Sequence, residues 1–194
     1  MTFSNYHQKY ANQSDIQIQD KANEKKQELS EIFSQVKLKT TDEIVRIAVL
    51  GCGDKRFIKY HKEIFEGVIK RPVEITTFDI TIDHLESEEN VIQHDCTLPL
   101  PNAPFDITFA HVLLKFLETE KQWNVIKNSY DALKSGGLAI HVLDKEDYET
   151  KETLLLNGQF AVPLEKWKKE LKRLEIAYKE IPVKYGLALV ILKK

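Results

Sequence analysis

Only two cysteines occur in the 194 residues. Cys52 and Cys96 stand at a spacing unlike any zinc-binding pattern, so neither a disulfide nor a metal pair is expected. Charge of one sign is also lacking: 28 Lys and Arg face 30 Asp and Glu, a net charge of −2. Such a balance gives no global attraction to nucleic acid, which needs a basic field or patch to neutralise phosphates. No apolar run approaches the roughly 20 residues that span a bilayer. The opening Met1-Thr2-Phe3-Ser4-Asn5-Tyr6 has no basic and hydrophobic signal pattern, so the expected place is the cytoplasm, away from membranes. There is no internal repeat and no low-complexity stretch. The length suits a single core, since such cores commonly run to about 250 residues. We read 1–194 as one domain, with an N-terminal segment and helix over 1–40 and a core over 44–194.

What is present is concentrated in Val45 to Asp54, a buried strand that runs straight into the glycine turn Gly51-Cys52-Gly53. Two glycines one residue apart let a backbone approach a ligand where any Cβ would obstruct it. After the turn, Phe57, Ile58, His61, Ile64, Phe65 and Val68 recur at helical spacing. The turn therefore sits at a helix N-terminus above a sheet, where open α/β sheets bind nucleotide-like ligands. The next strand, Val73 to Phe78, ends in Asp79, at the distance from the glycines where an acid reaches ribose hydroxyls.

The glycine spacing narrows the ligand. A dinucleotide fingerprint needs G-x-G-x-x-G, and here the third position is Arg56, which disfavours a nicotinamide or flavin cofactor. The nucleoside of S-adenosylmethionine has no phosphate and asks only for the first close approach and the ribose acid. Further on, Asn90 to Cys96 reads as a short third strand ending in the acid Asp95. Thr97-Leu98-Pro99-Leu100-Pro101 leads to a fourth strand, Pro104 to His111, followed by Val112-Leu113-Leu114-Lys115-Phe116-Leu117. A helix over 119–133, the turn Lys134-Ser135-Gly136-Gly137 and a strand over 138–143 complete the unit.

As a set, residues 44 to 143 resemble the small class I S-adenosylmethionine-dependent methyltransferases, in particular the type 11 group. Asp95 through Leu117 match its Asp-x-x-x-Leu-Pro segment, Phe-Asp strand and leucine-rich turn. The resemblance implies a Rossmann-like α/β fold, a mostly parallel seven-stranded sheet with an antiparallel C-terminal strand, and S-adenosylmethionine as cofactor. It implies that Gly51 and Gly53 meet the amino-acid end of that cofactor and that Asp79 accepts from its ribose. Ile80 then lies against the adenine, Asp95 takes the adenine amino group, and Cys96 offers a backbone N–H nearby. Two positions depart from the family: Val49 replaces the usual acid two residues before the first glycine, and Lys55 stands where many members have a third glycine. Lys55 either crowds the methionine end or points into solvent.

Methyl transfer needs proximity and orientation, with a base only where the acceptor must lose a proton. His111, just past the fourth strand, is the candidate base, because imidazole titrates near neutral pH. His141, inside an apolar strand, reads as a core histidine, and His7, His61, His84 and His94 show no ligand pattern. Ala110-His111-Val112-Leu113 lacks the Asp/Asn-Pro-Pro-aromatic motif of enzymes that methylate adenine amines. Neither cysteine stands where a cytosine-methylating nucleophile would, so a small molecule or a protein side chain is the expected acceptor. An alternative of another class is a non-catalytic, methyltransferase-like binding module acting as a partner subunit.

Toward the ends, residues 20–38 read as an amphipathic helix with Leu29, Ile32, Phe33 and Val36 on one face. Tyr6 and Tyr10 are candidates for a lid. Residues 144–162 read as an irregular loop over the site. Pro163 opens a helix whose apolar stripe is Leu164, Trp167, Leu171 and Leu174 and whose other faces carry lysines, a solvated face in its simplest reading. Strands over 174–183 and 186–192 close the chain as a hairpin.

Overall fold

The computed structural model describes residues 12–150 and 159–194. One seven-stranded sheet runs through the molecule in the order β3-β2-β1-β4-β5-β7-β6. Its strands are β1 (Val45–Leu50), β2 (Val73–Asp79), β3 (Val91–Gln93), β4 (Phe105–His111), β5 (Leu133–Asp144), β6 (Ala177–Val183) and β7 (Gly186–Leu192). The first five pair in parallel, and β7 runs antiparallel to both β5 and β6. Strand order reverses between β1 and β4, where an α/β sheet opens a crevice beyond its carboxyl ends. The arrangement is the expected α/β sheet with its antiparallel final strand.

Alternation along the buried strands builds a core on each face. Val45, Ile47 and Val49 of β1 join Ile107 and Phe109 of β4 beneath Leu29, Ile32, Ile64 and Phe65. Those four come from α1 (Asp15–Gln35) and α2 (Arg56–Ile69). On the other face Ala48, Leu50, Phe105 and Ala110 meet Val125 and Ile126 of α3 (Thr119–Asp131). Leu164, Trp167 and Leu171 of a later helix, Leu164–Arg173, complete that layer.

The first helix starts earlier than its apolar spacing suggests. Ser14 Oγ accepts from Gln17 N at 3.3 Å while Gln17 Oε1 accepts from Ser14 N at 2.8 Å, a reciprocal capping box that fixes the start at Asp15. Val36 is extended, so the helix also ends before residue 38. The third strand shrinks to Val91–Gln93. Asn90 before it has φ 58°, and Asp95 after it folds back on Thr97, accepting from its N at 2.9 Å and its Oγ1 at 2.7 Å.

The Lys134–Gly137 turn is absorbed as an irregularity within β5, since Phe105 pairs with Leu133 but Ile107 with Leu138. Of the segment expected to be irregular, Lys145–Tyr148 forms a short helix, α4, which makes the Leu164–Arg173 helix α5. Residues 151–158 of that segment, like Tyr6 and Tyr10, lie outside the described residues. The last hairpin forms as expected around Lys184 and Tyr185, but β6 begins only at Ala177. Glu175 at φ 55° ends the preceding turn.

Candidate active site

The glycine turn sits at the β1 side of the crevice. Gly51 has φ +77°, and a Cβ built on it would lie 3.0 Å from Leu113 Cδ1, so both conformation and space call for glycine. Its N–H donates to the Phe78 carbonyl at 2.7 Å, which ties the turn to β2. Leu113 reaches that spot because Val112 takes φ 56°, a left-handed backbone that β-branched residues rarely adopt and that costs about 1–3 kcal/mol.

Asp79, at the end of β2, is 5 % exposed. Its Oδ2 accepts from Cys52 N at 2.7 Å and its Oδ1 from Thr81 N at 3.1 Å. Each carboxylate oxygen keeps a second lone pair. Ile80 beside it is 60 % exposed, an apolar side chain left open at the strand ends. Asp95 engages Thr97 through Oδ1 alone; those bonds, side chain first, hold its carboxyl below the usual carboxylate range.

Cys52 and Gly53 are buried and Cys96 is half-buried. Burial pushes both thiols up to about 12, so neither is a thiolate nucleophile at neutral pH. The turn thus offers a glycine cradle and a carboxylate with spare lone pairs at strand ends beside an exposed apolar side chain. Those features fit the amino-acid, ribose and adenine portions of S-adenosylmethionine.

His111 ends β4. The residue before it, Ala110, pairs with Leu50, the residue before Gly51, so His111 stands beside the glycine turn across the crevice. Its Nε2 lies 2.9 Å from Glu28 Oε2 of α1. Burial lowers the imidazole pKa, and the Glu28 bond offsets part of that shift. Lys25, one turn earlier on α1, lies 3.4 Å from His61 Nε2 of α2 and 4.0 Å from the Phe57 ring centroid. Burial pushes its ammonium down to about 8.

Sequence reading missed Glu28 and Lys25 as parts of this cluster. The signal was there: Lys25 precedes Leu29 by four residues and Glu28 precedes Ile32 by four, which puts two charges on the inward face of the helix. It also took Arg56 only as a missing glycine. Arg56 instead grips Asp54 through Nε at 2.9 Å and Nη2 at 2.7 Å and reaches Asp15 at 2.8 Å and the Gln13 carbonyl at 2.9 Å. The glycine turn is thereby laced to the start of α1.

Lys55 is exposed and Val49 is buried in the sheet core, so of the two orientations open to Lys55 the structure shows the solvent-directed one. His84 Nε2–H donates to the Cys52 carbonyl at 2.6 Å. His141 is a core residue, 1 % exposed and 2.8 Å from Ser129 Oγ. At the far side of the crevice Asp144, Glu146 and Asp147 gather carboxylates. The Lys115 ammonium is seated among them, 2.8 Å from Asp144 Oδ2 and 3.2 Å from Asp147 Oδ1.

Residues 49–141 match the family model described as a methyltransferase domain. Among solved structures the chain is similar to an S-adenosylmethionine-dependent methyltransferase from Clostridium acetobutylicum, at 13 % identity and TM-score 0.66, covering 98 % of this chain and 100 % of that one. It is similar to DesVI of Streptomyces venezuelae at 10 % identity and TM-score 0.69, covering 95 % and 98 % of the two chains. DhpI, solved as a complex with S-adenosylhomocysteine, matches at 14 % identity and TM-score 0.61 over 96 % of this chain and 91 % of its own. No curated protein matches the sequence. The family match lies over residues 49–141, and the sheet topology is that of the class I S-adenosylmethionine-dependent methyltransferase fold. Among the described residues, no helix is long and apolar enough to cross a membrane.

Proposed function

We propose that the chain transfers a methyl group from S-adenosylmethionine to a small molecule or a protein side chain in the cytoplasm. Gly51, Cys52 and Gly53 face the amino-acid end of the cofactor, Asp79 and Ile80 its ribose and adenine, and Asp95 and Cys96 the adenine edge. His111 takes the proton that the acceptor gives up. The observation that carries this reading is the convergence, at the reversal of strand order, of the Gly51 cradle, the buried Asp79 carboxylate and the His111 imidazole. When bound, the cofactor supplies a methyl group already activated as a sulfonium. The residues bind and orient, and one of them accepts a proton. Lys55 is exposed, which supports cofactor binding at the turn.

Calorimetric titration with S-adenosylhomocysteine and with NAD tests the cofactor half; binding of the first and not the second is expected. Once a screen that follows S-adenosylhomocysteine release has found an acceptor, His111→Ala should lower turnover by about a hundredfold. Its affinity for S-adenosylhomocysteine should stay near that of the parent. Unchanged turnover removes His111 as the base, and a chain that does not bind S-adenosylhomocysteine removes the whole assignment.

A further inference from the structure

We infer that Glu28 is the positioning partner of His111: its carboxylate holds the imidazole with the proton on Nε2, which leaves Nδ1 to accept the proton of a hydroxyl-bearing methyl acceptor. This rests on the reading of His111 as the base. Glu28 Oε2 and His111 Nε2 are 2.9 Å apart and join residues 83 positions distant in sequence. An ionised carboxylate can only accept, so the ring nitrogen facing it carries the hydrogen. The His111 ring makes no other hydrogen bond among the described residues, and its side chain is 24 % exposed while that of Glu28 is 7 % exposed. One nitrogen is therefore committed to the protein, and the other has no hydrogen-bond partner among the described residues.

Glu28 has little freedom to swing away. Its neighbour Leu29 is 1 % exposed and Ile32, one turn on, is 0 % exposed against the sheet, so α1 is fixed where it meets β4. The charged and titratable groups around the ring are Lys25 and Glu28 of α1, His61 of α2 and Asp144 of β5. Burial lowers the ring pKa and the Glu28 bond opposes that shift, so the ring is neutral and free to take a proton at physiological pH.

The arrangement selects a class of acceptor. A neutral amine already presents its lone pair and sheds a proton after attack, whereas a hydroxyl becomes a good nucleophile only as its proton leaves. In the step, the acceptor O–H bond breaks with its proton passing to His111 Nδ1, and the oxygen forms a bond to the methyl carbon. The carbon–sulfur bond breaks with its electron pair staying on sulfur. The products are a methyl ether, S-adenosylhomocysteine and an imidazolium whose Nε2–H faces the Glu28 carboxylate.

The test begins without any acceptor. Long-range nitrogen–proton NMR of the 15N-labelled full chain reads the tautomer of each imidazole, and His111→Gln identifies the His111 signals. His111 should hold its proton on Nε2 at neutral pH. Glu28→Ala should give a mixture of tautomers. Glu28→Gln, whose amide oxygen still accepts, should keep the tautomer but lower the ring pKa, because the anion that supports the imidazolium is gone. A proton on Nδ1 in the parent, or a tautomer indifferent to Glu28→Ala, overturns the inference.

The second arm measures S-adenosylhomocysteine release with a panel of phenols and alcohols against a matched panel of amines. Turnover on the hydroxyl panel is expected, with Glu28→Gln reducing kcat by about tenfold or more, KM for S-adenosylmethionine unchanged and partial recovery in Glu28→Asp. Turnover on amines alone overturns the hydroxyl class. Loss in His111→Gln with full activity in Glu28→Gln overturns the role of Glu28 only, whereas full activity in His111→Gln overturns the base reading itself.

Discussion

Asp79→Asn is the substitution that separates the structural task of this carboxylate from the ribose contact proposed for it. In the structure it accepts from Cys52 N at 2.7 Å and Thr81 N at 3.1 Å while 5 % exposed. Hydrogen bonds to a charged group are worth about 1.5–3 kcal/mol each, and a buried N–H left without an acceptor costs about 1–3 kcal/mol. Asp79→Ala forfeits both acceptors, roughly 3–6 kcal/mol of a total that in natural domains is only about 5–15. A loss of binding in that variant would be confounded by a loss of fold.

Asp79→Asn keeps one oxygen to accept and so costs about 1–3 kcal/mol. For a chain of this size that lowers Tm by roughly 2–10 °C. If Asp79 holds the ribose as proposed, the amide presents one acceptor to the diol in place of two charged ones, which at about 3 kcal/mol is on the order of a hundredfold in affinity. The assay is calorimetric titration of S-adenosylhomocysteine into parent and variant, with thermal melts as the control for folding. A folded Asp79→Asn that binds within about threefold of the parent would refute the assignment of Asp79 to the ribose.

Gly51→Val should abolish S-adenosylhomocysteine binding, since φ +77° is hostile to a β-branched side chain and the nearest contact is already 3.0 Å from a Cβ; retained binding in calorimetry would contradict that. Lys55→Gly should leave affinity equal or better because Lys55 is exposed, and weakened binding would show that its side chain reaches the ligand. Lys115→Met removes the ammonium between Asp144 and Asp147 and should cost about 3–5 kcal/mol near neutral pH by stranding buried charge. Burial already raises the Asp147 carboxyl to about 6. A folded pKa above the unfolded one means stability from that group is present at low pH and lost as pH rises through about 6. The penalty in denaturant melts should therefore shrink toward pH 5, and a penalty that grows on acidification would contradict the pairing.

How far the sequence carried the fold depends on what each segment buries. The inner strands and the α2 stripe from Phe57 to Val68 were legible because an apolar run or a clean 3.6-residue period has one interpretation. Boundaries were lost where a polar side chain outvoted the pattern. The α1 start is set by Ser14 and Gln17, a capping box visible as S-x-x-Q but weaker to the eye than the leucines further on. The third strand stops early because Asp95 turns back on Thr97, and no hydrophobic pattern announces that.

The site divides along the same line. Gly51, Asp79 and His111 lie at strand ends, and the topology of an α/β sheet brings strand ends together whatever else the chain does. Glu28 and Arg56 act across the fold, to His111 and to Asp15, and no local period encodes a partner 83 or 41 residues away. What both share is a single helix: α1 supplies the carboxylate on the His111 ring and the Asp15 that Arg56 holds. The Arg56 clasp on the glycine turn and the carboxylate on the imidazole thus come from two positions of one helix. Displacement of α1 would loosen the Arg56 clasp and free the His111 ring together, so the order of the site is tied to the docking of that helix.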